Sequence, residues 1–269
     1  MKRSIKRKFS FWNWLWQILW FLIKIPYYLV KGIITLSRKL SSISREESVM
    51  EKRDSIRAKY VSFKVIETIE GDYETWFNKT IESDSQIGIV LGARGSGKTA
   101  FGVKMLENIY AKYGDKCFAM GFKAKEFPSW IKVVSDLSQL ENDSWVLIDE
   151  GGVLFNSRSS MSNANKLLSQ LILIARHKNI NILFISQNSS NLEINILRQA
   201  DFLVLKKSSL LQKEFERKII QKIYLDSKDK FDKYEKDKGL AYIYSGHFRG
   251  FVSNSLPSFW KEGISKSFK

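Results

Sequence analysis

Eight residues, "GARGSGKT" at 92–99, fit G-x-x-x-x-G-K-[ST] at every fixed position. The chemistry that needs this spacing is polyphosphate binding. Gly92, Gly95 and Gly97 let the backbone wrap closely round phosphates, with the N–H groups of Ala93, Arg94 and Ser96 in the same loop. Lys98 is placed to reach the β- and γ-phosphates of ATP, and the Thr99 hydroxyl to ligate Mg²⁺. A chance match in a chain of this length is on the order of one in a hundred at average residue usage. The loop also has the required context, between the apolar run "IGIVLG" and a helical pattern that opens at Lys98.

A second group of residues completes a hydrolytic site. "WVLIDE" (145–150) is an apolar strand ending in two acids. Asp149 then stands at the carboxyl edge of a sheet, where open α/β folds bind ligands. It would hold Mg²⁺ through water, and Glu150 would polarise the attacking water. The adjacent Glu favours hydrolysis over phosphoryl transfer to a small molecule. "FISQN" places Gln187 at another strand tip, within reach of a γ-phosphate. Arg176, in "ARHKN" at a helix end, is a candidate arginine finger for a neighbouring subunit's nucleotide, with Arg158 and Arg198 as rivals. Arg94 points to solvent or to an adjacent subunit. His177 has only His247 as a possible companion, which argues against a histidine metal site.

The elements that must position these residues alternate along the chain. Strands are expected at 87–92, 117–122, 144–150, 180–186 and 202–207, and helices at 98–112 and 163–177. Continuous apolar strands between helices indicate a mainly parallel sheet covered on both faces. The expected fold class is α/β, a P-loop NTPase of RecA/ASCE-like type. "LAYIYSGHFRGFVS" (240–253) reads as a C-terminal β-hairpin, and 226–239 as a solvated charged stretch. Three regions follow: a basic aromatic arm (1–40), a charged helical linker (41–70) and the P-loop domain (71–269), with its motifs in 86–207.

Composition restricts the alternatives. With 44% hydrophobic and 27% charged residues, the chain is not disordered. Its one cysteine, Cys117, excludes a disulfide framework and a multi-thiolate zinc site. Net charge is +16, and residues 1–45 supply ten Lys/Arg with no Asp/Glu. A polyanionic partner is implied, either anionic lipid or nucleic acid.

The arm carries four of the eight tryptophans between Trp12 and Trp20. As a helix it sets Ser10, Gln17, Lys24, Lys31 and Arg38 on one narrow polar stripe, with apolar and aromatic residues around the rest. Were it to span a bilayer, Lys24 would sit near the centre at a cost of about 3 kcal/mol. Lys2, Arg3, Lys6, Arg7 and Lys8 would also lie on the wrong side for the positive-inside tendency. A helix lying in the membrane interface, contacting lipid through residues 9–38 and kinked at Pro26, meets neither objection.

"GARGSGKT", "VLIDEGGVLFNSR", "ARHKNINILFISQ" and "EINILRQADFLV", in that order, resemble the FtsK–HerA group of P-loop ATPases. The resemblance covers about residues 86–207. Within the group it points to two kinds of protein: zonular occludens toxin-like proteins, including filamentous-phage assembly ATPases, and the genome-packaging ATPases of membrane-containing viruses. It implies Lys98 and Thr99 for nucleotide, Asp149 for Mg²⁺, Glu150 as base and Gln187 as sensor. It further implies a ring, usually hexameric, that moves DNA through its pore. The expectation is a membrane-associated, ATP-hydrolysing DNA motor with its ATPase domain on the cytoplasmic side. The alternatives are an assembly ATPase that drives virion extrusion without gripping DNA, and a nucleotide-binding membrane scaffold.

Overall fold

The computed structural model describes residues 11–150 and 161–265. Arg158 and the basic residues from Lys2 to Lys8 lie outside them. The chain divides into one compact unit ending at Lys52 and another beginning at Arg53.

The first unit is formed by helix α1 (Phe11–Asp54), whose last two residues belong to the second. At 1.5 Å per residue α1 is about 66 Å long. It continues through Pro26 as one helix. Trp16, Trp20, Phe21, Tyr27, Tyr28 and Ile33 are exposed on it. The Lys24 ammonium lies 3.3 Å from the centroid of the Trp20 ring, a cation–π contact one helical turn apart. Among the described residues, no helix is long and apolar enough to cross a membrane.

The second unit is built on a nine-stranded sheet. Its strands are β1 (Lys64–Gly71), β2 (Ile87–Leu91), β3 (Lys116–Met120), β4 (Ile131–Val134), β5 (Ser144–Asp149), β6 (Ile180–Ile185), β7 (Phe202–Leu205), β8 (Leu240–Ser245) and β9 (Phe248–Ser253). Their order across the sheet is β1-β9-β8-β7-β2-β6-β5-β3-β4. From β7 to β4 all neighbours are parallel, whereas β8, β9 and β1 join antiparallel. The helices are α2 (Tyr73–Glu82), α3 (Lys98–Tyr113), α4 (Met161–Lys178), α5 (Ile194–Arg198), α6 (Leu210–Phe215), α7 (Lys218–Asp226), α8 (Lys228–Lys233) and α9 (Glu262–Ser265).

Side chains alternate across the central strands, so each strand feeds two cores. Leu147 of β5 joins the core under α2 and α3, with Phe101, Val103 and Leu106. Its neighbours Val146 and Ile148 join the opposite core, with Leu168, Leu171 and Ala175 of α4. The α/β class, the mainly parallel sheet with helices on both faces and the C-terminal hairpin are all as the sequence indicates. α3 ends at Gly114, whose φ of +76° gives the left-handed C-cap that only glycine adopts without strain.

Several segments depart from the sequence reading. Residues 64–70, read as the end of a helical linker, belong to edge strand β1, which pairs with β9. Val65, Ile66, Thr68 and Ile69 are β-branched and favour the extended backbone over the charge pattern. The stretch 226–239 is not simply solvated, because α8 buries Phe231 and Lys230 pairs with Glu67. Strand β4 and helices α6 and α7 have no counterpart among the expected elements.

A buried polar cluster fixes both ends of this unit onto α3. Lys104 and Glu107, both at most 1% exposed, pair at 2.9 Å. Glu107 also accepts from Lys59 N–H and from the Ser258 backbone and hydroxyl. Asn108 exchanges two hydrogen bonds with the backbone of Val61. The helix that begins at the glycine loop is thereby tied to the chain entering the domain and to the chain leaving it.

Candidate functional site

The glycine loop connects β2 to α3 at the carboxyl edge of the parallel strands. Gly95 and Gly97 have φ of +77° and +90°, open to glycine and strained for other residues. At Gly92 a Cβ would sit 2.8 Å from the Lys206 Cβ, so the backbone can turn there only without a side chain. The end of β7 supports the turn: Ala93 N–H donates to Lys207 O and Lys206 N–H to Leu91 O. α3 starts with no side-chain cap and no acidic residue in its first turn. Its leading N–H groups and the positive end of its dipole therefore face an incoming anion. Ser96 Oγ is buried with no partner, a polar atom that a phosphate oxygen would satisfy.

Lys98 is buried at 7% exposure, and its ammonium donates to Gly92 O at 2.7 Å and Ala93 O at 2.9 Å. Burial pulls its pKa down to about 8, against the opposing charges of Asp149 and Glu150. The loop thus holds its cation curled on its own backbone.

The acids arrive on β5, but β5 is not the neighbour of β2. β6 lies between them, paired with both. This inserted strand brings its own tip, Ser186–Gln187, between the phosphate loop and the acids. Asp149 is in register with Ile185, so the next residues of the two strands meet. There Glu150, 5% exposed, accepts from the Ser186 hydroxyl. Burial raises the Glu150 pKa, an effect the hydrogen bonds from Ser186, Asn191 and Gln187 N–H only partly offset. A carboxylate raised in this way is a better acceptor for a proton from water.

One cleft of about 790 Å³ joins these groups. Lys98, Thr99, Asp149, Glu150 and Gln187 all line it, and so does Arg94, which the sequence reading directs to solvent or to an adjacent subunit. The described residues contain no group of three or more His, Cys, Asp or Glu that could hold a metal by itself. Thr99 and Asp149 give one hydroxyl and one carboxylate, a donor set suited to Mg²⁺ shared with phosphate oxygens.

The arginine candidates fall elsewhere. Arg176 is exposed in the last turn of α4, four residues before β6 begins. Arg198 is exposed at the end of α5, just before β7. Both therefore sit at the amino edge of the parallel strands. The loop is at the other edge, about 20 Å away along a six-residue strand. Neither can touch the nucleotide bound in its own cleft.

Sequence reasoning missed two parts of the site. Lys206 is fully buried behind the loop, where its ammonium donates to Gly239 O at 2.8 Å and Asn254 Oδ1 at 3.1 Å. Burial lowers its pKa to about 7. The second part holds the Gln187 loop. Gln187 O accepts from Gln212, and Glu216 accepts from Ser189 and from Gln212. Arg217 donates to Ser189 O and Leu192 O. Helix α6 is thus wired directly to the strand tip that carries Gln187.

No protein-family model and no curated protein matches this sequence. Solved structures of similar shape include the DNA-packaging ATPase B204 of Sulfolobus turreted icosahedral virus, at 12% identity and a TM-score of 0.46. That match covers 64% of this chain and 98% of the other. ATPase domains 2 and 3 of EssC from Geobacillus thermodenitrificans match at 11% identity and a TM-score of 0.43, over 80% of this chain and 49% of theirs. A KaiC-like protein of Pyrococcus horikoshii matches at 12% identity and a TM-score of 0.39, over 65% and 85%. The chain's own loop, its strand inserted between loop and acids, and the Asp149–Glu150 pair give it the fold of a P-loop NTPase.

Proposed function

We propose that this chain is a membrane-associated, Mg²⁺-dependent ATPase that moves DNA, packaging or exporting a viral or mobile-element genome. The observation that carries the hydrolytic part is the meeting of Lys98, Asp149 and buried Glu150 in one cleft. Lys98 and the loop backbone hold the phosphates, and Gln187 orients the γ end. Glu150, fixed by Ser186, takes the proton from the attacking water. Mg²⁺, held by Thr99 and Asp149, would neutralise charge on the phosphate oxygens.

The arginines support assembly into a ring. Arg94 is the only arginine lining the cleft among the described residues. Arg176, and failing it Arg198, would serve the nucleotide of an adjacent copy, since neither reaches its own. The acid-free basic arm favours a polyanion, and the exposed aromatic surface of α1 favours the lipid interface, with the ATPase domain on the cytoplasmic side.

ATPase turnover measured with and without DNA tests this reading, on the full chain and on protein lacking residues 1–40. DNA is expected to raise turnover at low salt, with the stimulation fading as salt rises. Removal of the arm is expected to abolish liposome binding. Hydrolysis indifferent to DNA contradicts the motor.

A further inference from the structure

The cleft extends well beyond the phosphate-binding groups, and its far end has a different character. Asp149, Glu150 and Gln187 mark where the γ-phosphate lies. Lys98 then takes the β- and γ-phosphates, and the α-phosphate falls by the first turn of α3, at Thr99–Ala100. The remainder of a nucleotide must run away from Glu150. The cleft is lined further by Lys238–Gly239, Leu256 and Trp260, and Lys238 adjoins it at Gly97, on the phosphate-loop side. Leu256 is 58% exposed and Trp260 half-buried, so two large apolar groups of the cleft lining remain open to a ligand.

This wall is built rather than loosely draped. Ser258 is anchored to buried Glu107 of α3, the same helix that carries the phosphate loop. Phe259 is buried edge-on against Trp130 at 5.5 Å, and Trp130 stacks on Tyr110 of α3 at 4.7 Å. Trp260 N–H donates to Pro257 O, and Ile264 is fully buried. On the other side, Lys206 pins Gly239 and Asn254 together. The Lys238 carbonyl lies 3.4 Å from where a Gly97 Cβ would stand, so this edge abuts the phosphate loop directly.

An exposed aliphatic side chain and an indole ring, carried by an anchored segment beside a phosphate cradle, fit the face of a nucleobase. We propose that Leu256 and Trp260 form the nucleobase subsite of this cleft. The C-terminal segment 254–265, rather than the phosphate loop, then holds the base of the bound nucleoside triphosphate. The inference rests on the ATP-binding reading of the cleft and adds to it the residues that recognise the part of the ligand other than phosphate.

Calorimetric titration of the full-length protein with ATP and with inorganic tripolyphosphate, which has no base, separates the two. Trp260→Ala is expected to weaken ATP binding about tenfold, the scale of one base–aromatic stack, and to leave tripolyphosphate binding unchanged. Trp260→Phe should restore most of the loss. Leu256→Ala, at a residue outside the core, should weaken ATP alone, by about three- to fivefold. Equal losses for both ligands in Trp260→Ala would show a wall that only supports the loop, and would overturn the subsite. Unchanged ATP binding in both alanine variants would overturn it too. In either case tripolyphosphate binding that is lost in Lys98→Ala leaves the phosphate site standing. A wild-type protein that binds neither ligand overturns the ATP-binding reading itself, and the subsite with it.

Discussion

Replacing Glu150 with glutamine is expected to lower ATP turnover by about a hundred- to ten-thousandfold, the usual scale for loss of a general base. ATP binding should persist. Glutamine keeps the shape of the side chain and can still accept from Ser186, so the strand tip at Ser186–Gln187 stays in place. What disappears is, among the described residues, the one buried carboxylate in the cleft, the group able to take a proton from water. Folding should not suffer, because a neutral amide no longer opposes burial in the way that the ionised carboxylate does. Steady-state kinetics beside a binding titration separates the two effects. Unaltered turnover in Glu150→Gln would remove Glu150 from the chemistry and favour a scaffold whose nucleotide only fixes its shape.

Lys98→Ala carries the second large effect. Its ammonium is the only buried cation lining the cleft among the described residues. Charge-assisted hydrogen bonds to phosphate on the order of 1.5–3 kcal/mol correspond to ATP binding about 10- to 100-fold weaker. Turnover should fall below detection. Liposome binding should be untouched, since the arm forms a unit of its own. Loss of liposome binding in this variant would show that the arm does not act independently. The wild-type lysine also makes binding depend on pH, with a definite sign. Burial depresses the Lys98 pKa to about 8, so the charged form prevails below that pH and is lost above it. A phosphate favours the charged form. Binding above about pH 8 must therefore recruit a proton, and affinity should weaken about tenfold per pH unit there. Calorimetry in two buffers of different ionisation enthalpy should show uptake of about half a proton per ATP near pH 8 and little near pH 6.5.

The parts of the site legible in the sequence are those that local pattern dictates. "GARGSGKT" fixes its own backbone through three glycines, and "WVLIDE" and "NILFISQ" are apolar runs whose polar ends fall at one sheet edge. Sequence alone does not reveal that β6 lies between β2 and β5, since strand order depends on tertiary packing. Lys206 was equally hidden. In "FLVLKK" it reads as a charge at a strand end, and only the closure of β8 and β9 over the loop buries it. Lys104 and Glu107 look like an ordinary surface pair three residues apart. They are buried because the segments around Lys59 and Ser258 fold across α3. Trp260 sits in "SLPSFWKEG", which has no helical or strand period, so nothing local marks it as lining a cleft. The edge strand β1 was concealed by its charges, which lie on a strand largely exposed along its length.

Movement along DNA is the central claim, and displacement of streptavidin from biotinylated DNA tests it most directly. The full-length protein would be incubated with single-stranded and with double-stranded DNA carrying biotin at one end. The expected result is displacement from at least one of the two, requiring ATP and lost in Glu150→Gln. DNA that stimulates hydrolysis yet never sheds its streptavidin would contradict a motor, and so would displacement that proceeds equally well in Glu150→Gln.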